Sequence, residues 1–257
     1  MFLLNKVRIT SACSRQRTRC PFVCMLASSH FRTQKASTCT ATDAGVIRKK
    51  ESSTMHIVLI GDSILDNATY VDEKHSVQDL LNEKMPSCKV TLLAVDGSLT
   101  SDIHEQLNDF PKDATHVFVS CGGNDAIDNV DVLNEPASNV EDALVKLSER
   151  KESFRGSYAS AIEAVRKKHN KVAAFTVYNK VPELNVASRA ALALFNEVML
   201  EELSSREIPI IDLRVLFSEE QDYSPVSPIE PSVHGGRKIV LQIERLIQSG
   251  FKSGIYV

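Results

Sequence analysis

The chain has 257 residues, of which 43% are hydrophobic and 25% are charged, with 10 Gly and 9 Pro. This composition is that of a globular protein and excludes collagen-like, low-complexity and wholly disordered chains. Because no run of about 18 apolar residues occurs, we expect a soluble protein without a membrane span. Six cysteines in a chain of this length do not indicate a disulfide scaffold.

The net charge of -3 conceals two unlike segments. Residues 1–54 carry ten Lys and Arg against two acidic residues, a net charge of +8. The remaining residues carry 20 basic and 31 acidic side chains, a net charge of -11. Since an acidic domain repels polyanions, we expect neither nucleic acid nor an anionic membrane as a partner.

Residues 1–42 contain no acidic side chain and intersperse Arg with Ser, Thr and Cys, as transit peptides do. We interpret residues 1–54 as a transit peptide, which would direct the protein to a mitochondrion or plastid. The alternatives are a disordered extension, or an upstream start that is not used because translation begins at Met55; either would leave a cytoplasmic protein. Four of the six cysteines lie in this segment, so the domain at 55–257 keeps only Cys88 and Cys121, which suits a reducing compartment.

From residue 55 onward, short apolar runs alternate with longer amphipathic segments, a pattern typical of βαβ units. Strands are predicted at 55–60, 89–95, 115–120, 172–177 and 208–213. Helices are predicted at 77–85, 100–107, 140–169 with a break near Ser153, 186–205 and 235–249. The tail at 250–257 gives no clear signal. The sequence therefore predicts a three-layer α/β/α sandwich, flavodoxin-like, with a five-stranded parallel sheet.

Polar residues and glycines follow the first three predicted strands. The first strand runs into Gly61-Asp62-Ser63, the second into Asp96-Gly97-Ser98 and the third into Cys121-Gly122-Gly123-Asn124-Asp125. Ligands of such sheets bind at the carboxyl ends of the strands, so Ser63 is a candidate nucleophile. Each block alone is also an ordinary turn sequence. A G-x-S-x-G elbow, a P-loop and a dinucleotide fingerprint are all missing after the first strand, which removes support for those families.

Together the three blocks resemble those of the SGNH (GDSL-type) hydrolases, in order and in spacing, from residue 55 to about residue 246. The resemblance implies that Ser63 attacks a carboxylic ester and forms an acyl-enzyme. It also implies an oxyanion hole made by the backbone N–H groups of Ser63 and Gly97 and the side-chain amide of Asn124. Such an enzyme needs no cofactor, and its partner is a small acyl ester.

The fourth block of that family is Asp-x-x-His before the last helix, and here the pattern is imperfect. His234 supplies the histidine and is the candidate base, but Pro231 stands where the Asp is expected. Glu230 is one residue away and is the candidate acid if the chain bends there. The other arrangement is a Ser-His dyad in which a backbone carbonyl orients the imidazole.

Other residues near the strand ends are expected to play supporting roles. We expect Asp62, Asp66 and Asp125 to brace the loops and Cys121 to be a small buried hydrophobic residue. No His, Cys, Asp and Glu cluster shows metal-ligand spacing, so no metal site is expected. The leading hypothesis is a serine esterase. The alternatives are a non-catalytic binding or scaffold protein of the same fold and a flavodoxin-like nucleotide or flavin binder.

Overall fold

The computed structural model describes residues 54–257. The predicted leader at residues 1–54 lies outside the described residues apart from Thr54. In the described range, no helix combines the length and the apolar character that crossing a bilayer requires.

A parallel sheet with the strand order β2-β1-β3-β4-β5-β6 forms the centre of the domain. Its strands are β1 (His56–Gly61), β2 (Lys89–Leu92), β3 (His116–Ser120), β4 (Val172–Phe175), β5 (Ile210–Ile211) and β6 (Ile255–Tyr256). In the register of β1 and β3, Gly61 lies beside Ser120. The carboxyl ends of these two strands, and the loops that follow them, therefore meet at one edge of the sheet.

Helices connect the strands in the order that the sequence predicts. They are α1 (Val77–Lys84), α2 (Ile103–Gln106), α3 (Gly123–Asp128), α4 (Val140–Lys168), α5 (Val186–Ser205), α6 (Leu213–Leu216) and α7 (Val233–Gln248). The predicted break in α4 near Ser153 is wrong, because the apolar stripe of Phe154, Tyr158 and Ile162 continues at a spacing of four residues. Ser153 lies on the exposed side of this unbroken helix.

The helices cover both faces of the sheet, which confirms the three-layer prediction. Ile57 and Leu59 of β1 point to the face that α1 and α7 cover. Val58 and Ile60 point to the face covered by α2, α4 and α5. All four side chains are fully buried, as expected for a strand with helices on both faces.

The prediction of five strands is wrong, because the chain adds a sixth. β6 consists of only two residues at the very end of the chain, and it pairs with β5 through hydrogen bonds from Ile210 N to Gly254 O (2.9 Å) and from Asp212 N to Tyr256 O (2.9 Å). A two-residue strand is too short to show a hydrophobic period. It extends the sheet at the edge that lies away from β1.

Candidate active site

The first strand ends in a turn that only glycine can make. Gly61 has φ of +133°, and a Cβ at this position would lie 1.6 Å from Ser120 O. The chain then turns back on itself, since the N–H groups of Leu65 and Asp66 both donate to Asp62 O at 3.1 and 3.0 Å. Ser63 sits in this turn at the carboxyl end of β1 and is only 6% exposed.

The two backbone donors predicted at this edge are the N–H groups of Ser63 and Gly97. Among residues 54–257, neither the hydroxyl nor the backbone N–H of Ser63 has a hydrogen-bond partner, and the N–H of Gly97 has none either. Gly97 has φ of +81°, and the position of its missing Cβ faces open space. N–H groups that are free of protein partners at a strand end are available to stabilise an anion or a developing negative charge.

Two polar contacts fix the Gly97 loop against the turn that holds Ser63. Gln106, on α2, accepts from Gly61 N and donates to Gly61 O, both at 2.8 Å, and it also donates to Ser98 Oγ at 3.1 Å. Asp66 accepts from Asp96 N at 3.0 Å. Sequence reasoning missed Gln106, because a glutamine in an amphipathic helix gives no sign that it bridges two loops.

The loop after β3 is joined by hydrogen bonds to the loop after β2. Asn124 donates one amide N–H to Ser98 O at 2.9 Å. Asp125 accepts from Thr100 N at 3.0 Å and from Thr100 Oγ1 at 2.7 Å. The side-chain amide has two N–H groups, so the bond to Ser98 O fixes the orientation of Asn124 and leaves its other N–H without a partner among residues 54–257. The loop-bracing roles predicted for Asp66 and Asp125 are thus confirmed.

The predicted base lies in a different environment. His234 is in the first turn of α7, where its side chain is 47% exposed and its Nε2 is 3.6 Å from Asp222 Oδ1. The same oxygen lies 2.7 Å from Lys238 Nζ. The hydrogen bonds of residues 54–257 include none between His234 and Ser63. Asp222 was missed because it is twelve residues before His234, and a 3₁₀ turn at Glu220–Asp222 brings it back.

Glu230 is placed quite differently from His234. It is 1% exposed, and its backbone O accepts from Ser224 N at 2.8 Å. The next carbonyl, Pro231 O, accepts from the side-chain amide of Asn67 at 3.1 Å. Because Asn67 belongs to the same loop as Ser63, this contact pins the Glu230 segment against the nucleophile turn.

Asp62 is a buried carboxylate directly before Ser63. Its Oδ1 accepts from Ser120 Oγ at 2.7 Å and from Ile64 N at 3.1 Å, which confirms its predicted role in bracing the loop. Burial raises its pKa from 3.8 to about 6, against the lowering effect of the Ser120 hydrogen bond. The thiol of Cys121 is likewise buried, and burial raises its pKa well above the usual value, so it stays protonated and is no second nucleophile.

The raised pKa predicts that Asp62 destabilises the fold in neutral solution. A carboxyl whose pKa is higher in the folded state costs no stability below its unfolded pKa of 3.8 and its full penalty above about pH 6. Asp62→Asn keeps an oxygen for both donors and removes the charge. At about pH 8 we expect the free energy of unfolding of the variant to exceed that of wild type by up to about 3 kcal/mol. This gain should shrink towards pH 4.

Urea unfolding of both proteins at about pH 4.5 and pH 8 measures this difference. The exposed Asp131→Asn is the matched control, and it should change stability by less than about 0.5 kcal/mol at either pH. If Asp62→Asn raised the free energy of unfolding equally at both pH values, this would contradict the raised pKa of Asp62.

A sequence profile described as the GDSL-like Lipase/Acylhydrolase family matches residues 59–236. The chain belongs to this family. The predicted resemblance is thereby confirmed, and all the blocks discussed above lie inside the matched range of the GDSL-like domain. A comparison with curated protein sequences gave no match.

Solved structures show the same fold for this GDSL-like domain. The lipase/acylhydrolase from Enterococcus faecalis is 21% identical, with a TM-score of 0.56 over 78% of this chain and 98% of that one. An extracellular lipase from Streptomyces rimosus is 16% identical, with a TM-score of 0.54 over 73% of this chain and 98% of its own. An acetyl xylan esterase is 14% identical, with a TM-score of 0.58 over 75% of this chain and 100% of its own.

Proposed function

We propose that this chain is a serine hydrolase that cleaves carboxylic esters of small molecules through an acyl-enzyme on Ser63. The observation that carries the proposal is the set of unpaired groups at one edge of the sheet. They are the Ser63 hydroxyl, the N–H groups of Ser63 and Gly97, and the second amide N–H of Asn124. Acyl transfer requires a nucleophile beside such donors.

These groups suit the two halves of the reaction. Ser63 Oγ attacks the ester carbonyl carbon, and the negative charge that develops on the carbonyl oxygen is stabilised by the Ser63 and Gly97 N–H groups and Asn124. The alcohol leaves, and water then hydrolyses the acyl-enzyme. The donors are held in place before substrate binds, because Gln106 and Ser98 connect their loops, so little reorganisation is needed during the reaction.

Family membership and the printed names of the structural neighbours support an ester as substrate. These neighbours include an acylhydrolase and an acetyl xylan esterase. The net charge of -11 outside the first 54 residues further favours a small molecule over a nucleic acid.

Labelling with a fluorophosphonate probe tests the nucleophile. We expect one phosphonyl group per chain, located at Ser63 by peptide mass spectrometry, because such probes react with serines activated for acyl transfer. Ser63→Ala should not be labelled. Labelling of the variant to the wild-type extent would overturn the assignment of Ser63.

The second candidate function is a binding protein of the same fold without catalysis. The observation that favours it is the placement of His234, which faces Asp222 and Lys238 and makes no hydrogen bond with Ser63 in the described range. Lack of both labelling and ester hydrolysis in wild type would favour this candidate.

A further inference from the structure

The sheet gives Gly61 no strand partner on the side of β2. The paired register of β1 and β2 ends with Leu59 beside Leu92, two residues before Gly61. Beyond this pair the chain leaves β2 for the loop that carries Gly97, and Val95 N donates to Gly61 O at 3.0 Å on the way. The N–H of Gly61 donates instead to a side chain, Gln106 Oε1, at 2.8 Å.

The Gln106 amide takes the place that β2 vacates. It accepts from Gly61 N and donates to Gly61 O, both at 2.8 Å. A side-chain amide carries the same kinds of donor and acceptor as a peptide group, so it can satisfy both backbone groups of one residue. Because an unpaired buried N–H is costly, this contact lets the chain leave the sheet before Gly97 without leaving Gly61 N unsatisfied.

The same amide also reaches the loop that follows β2. Gln106 Nε2 donates its second N–H to Ser98 Oγ at 3.1 Å, and Ser98 directly follows Gly97. The carbonyl of Ser98 accepts from the Asn124 amide at 2.9 Å. One side chain therefore connects the strand end that leads into Ser63 with the loops of both other predicted oxyanion donors.

The helix that carries Gln106 is firmly attached to the core. Ile103 is fully buried and Leu107 is 4% exposed, and both belong to the apolar cluster that contains Val58 and Ile60 of β1. Gln106 is the last residue of this short helix, α2. Both of its amide N–H groups and its carbonyl oxygen are engaged, which fixes the plane of the amide.

We propose that Gln106 is a positioning residue of the oxyanion hole, which holds the donors of the loops after β2 and β3 at the distance from Ser63 that acyl transfer requires. The proposal rests on the serine hydrolase function proposed above. Gln106 acts through Gly61 and Ser98 and takes no part in proton transfer. Because a displacement of about 1 Å can lower a rate by about 10², loss of its contacts should slow the reaction more than it weakens substrate binding.

Steady-state hydrolysis of p-nitrophenyl acetate by the full chain tests the proposal. Gln106→Met keeps the length of the side chain and removes its donors and acceptor. We expect kcat to fall by about 10²-fold while KM stays within about threefold of wild type. The matched control is Glu105→Met, an exposed position on the same helix, which should leave both constants within about threefold. If kcat of Gln106→Met stays within that range, the proposal is wrong.

A double-mutant cycle with Asn124→Ala separates positioning of the donors from a general effect on the fold. Removing the Asn124 amide first takes away part of what Gln106 positions. The loss of kcat in the double variant should therefore be smaller than the product of the two single losses, by at least about threefold. Losses that multiply would show that the two side chains act independently, and this would overturn the proposal.

Gln106→Glu removes the donors alone and serves as a second variant if Gln106→Met folds poorly. The carboxylate keeps an acceptor for Gly61 N, but when ionised it has no donor for Gly61 O or Ser98. We expect its kcat at about pH 8 to lie at least about tenfold below wild type. The ratio to wild type should rise as the pH is lowered, because a protonated carboxyl regains one donor. Wild-type kcat at pH 8 would show that the donors are not needed.

The two levels of the proposal fail in different ways. Ester hydrolysis that survives in Ser63→Ala overturns the proposed function together with the role of Gln106. Hydrolysis that needs Ser63 but is unchanged in Gln106→Met and Gln106→Glu overturns the role of Gln106 alone.

Discussion

Replacing Ser63 with alanine is expected to lower kcat for the hydrolysis of p-nitrophenyl esters by at least about 10⁴-fold. Without its hydroxyl the enzyme cannot form an acyl intermediate, and only the oxyanion hole and substrate binding remain to accelerate attack by water. Fold stability should change little, because the Ser63 hydroxyl makes no hydrogen bond within residues 54–257. The measurement is steady-state turnover of wild type and variant, with thermal unfolding of both.

Ser101→Ala is the matched control for this substitution. Ser101 is an exposed serine after β2, outside the set of unpaired donors, and the same loss of one hydroxyl there should leave kcat within about twofold. A Ser63→Ala variant that keeps a tenth or more of the wild-type rate would show that ester cleavage occurs at another group.

The site's location could be predicted from the sequence because it depends on topology. In a parallel sheet the ends of neighbouring strands meet at one edge, so glycine-rich blocks after β1, β2 and β3 had to come together. The observed positive φ values of Gly61, Gly97 and Gly122 show why glycine occupies these turns. Local sequence carries this information, since a tight turn constrains its own residues.

The contacts that position the site could not be predicted, because they join residues far apart in the chain. Gln106 reaches Gly61 over 45 residues, and Asn67 reaches Pro231 over 164. Nothing in the sequence distinguishes either side chain from an Asn or Gln on the protein surface. The same holds for Asp222, which lies beside His234 only because a 3₁₀ turn and the bridge between Tyr223 and Pro231 fold the segment back.

The region around His234 shows how one residue of offset changes a chemical interpretation. In the sequence, His234 comes directly before the last predicted helix, and the expected acid position holds Pro231. The helix begins at Val233 with Ser232 as its cap, so His234 is already on the helix surface. Glu230 lies before the cap, in the segment that the hydrogen bond from Asn67 to Pro231 O joins to the loop after Ser63.

Removing the amide of Asn124 is expected to lower kcat by about 10²–10³, which corresponds to about 2.7–4 kcal/mol of lost transition-state stabilisation. In Asn124→Ala the Ser63 and Gly97 N–H groups remain, so the loss should fall on kcat with a small change in KM. Asn124→Asp should be at least as harmful, because the carboxylate keeps the shape of the amide but repels the developing oxyanion.

Asn129→Ala is the matched control for the amide. Asn129 donates its side-chain N–H to Asp125 O at 2.8 Å, just beyond α3, so its loss perturbs the same loop without touching the donor set. Its kcat should stay within about threefold of wild type. If Asn129→Ala and Asn124→Ala lost activity equally, the effect would come from the loop's stability. A specific loss in Asn124→Ala, with unchanged thermal unfolding, instead places the amide at the reacting carbonyl, where its Ser98 contact already orients it.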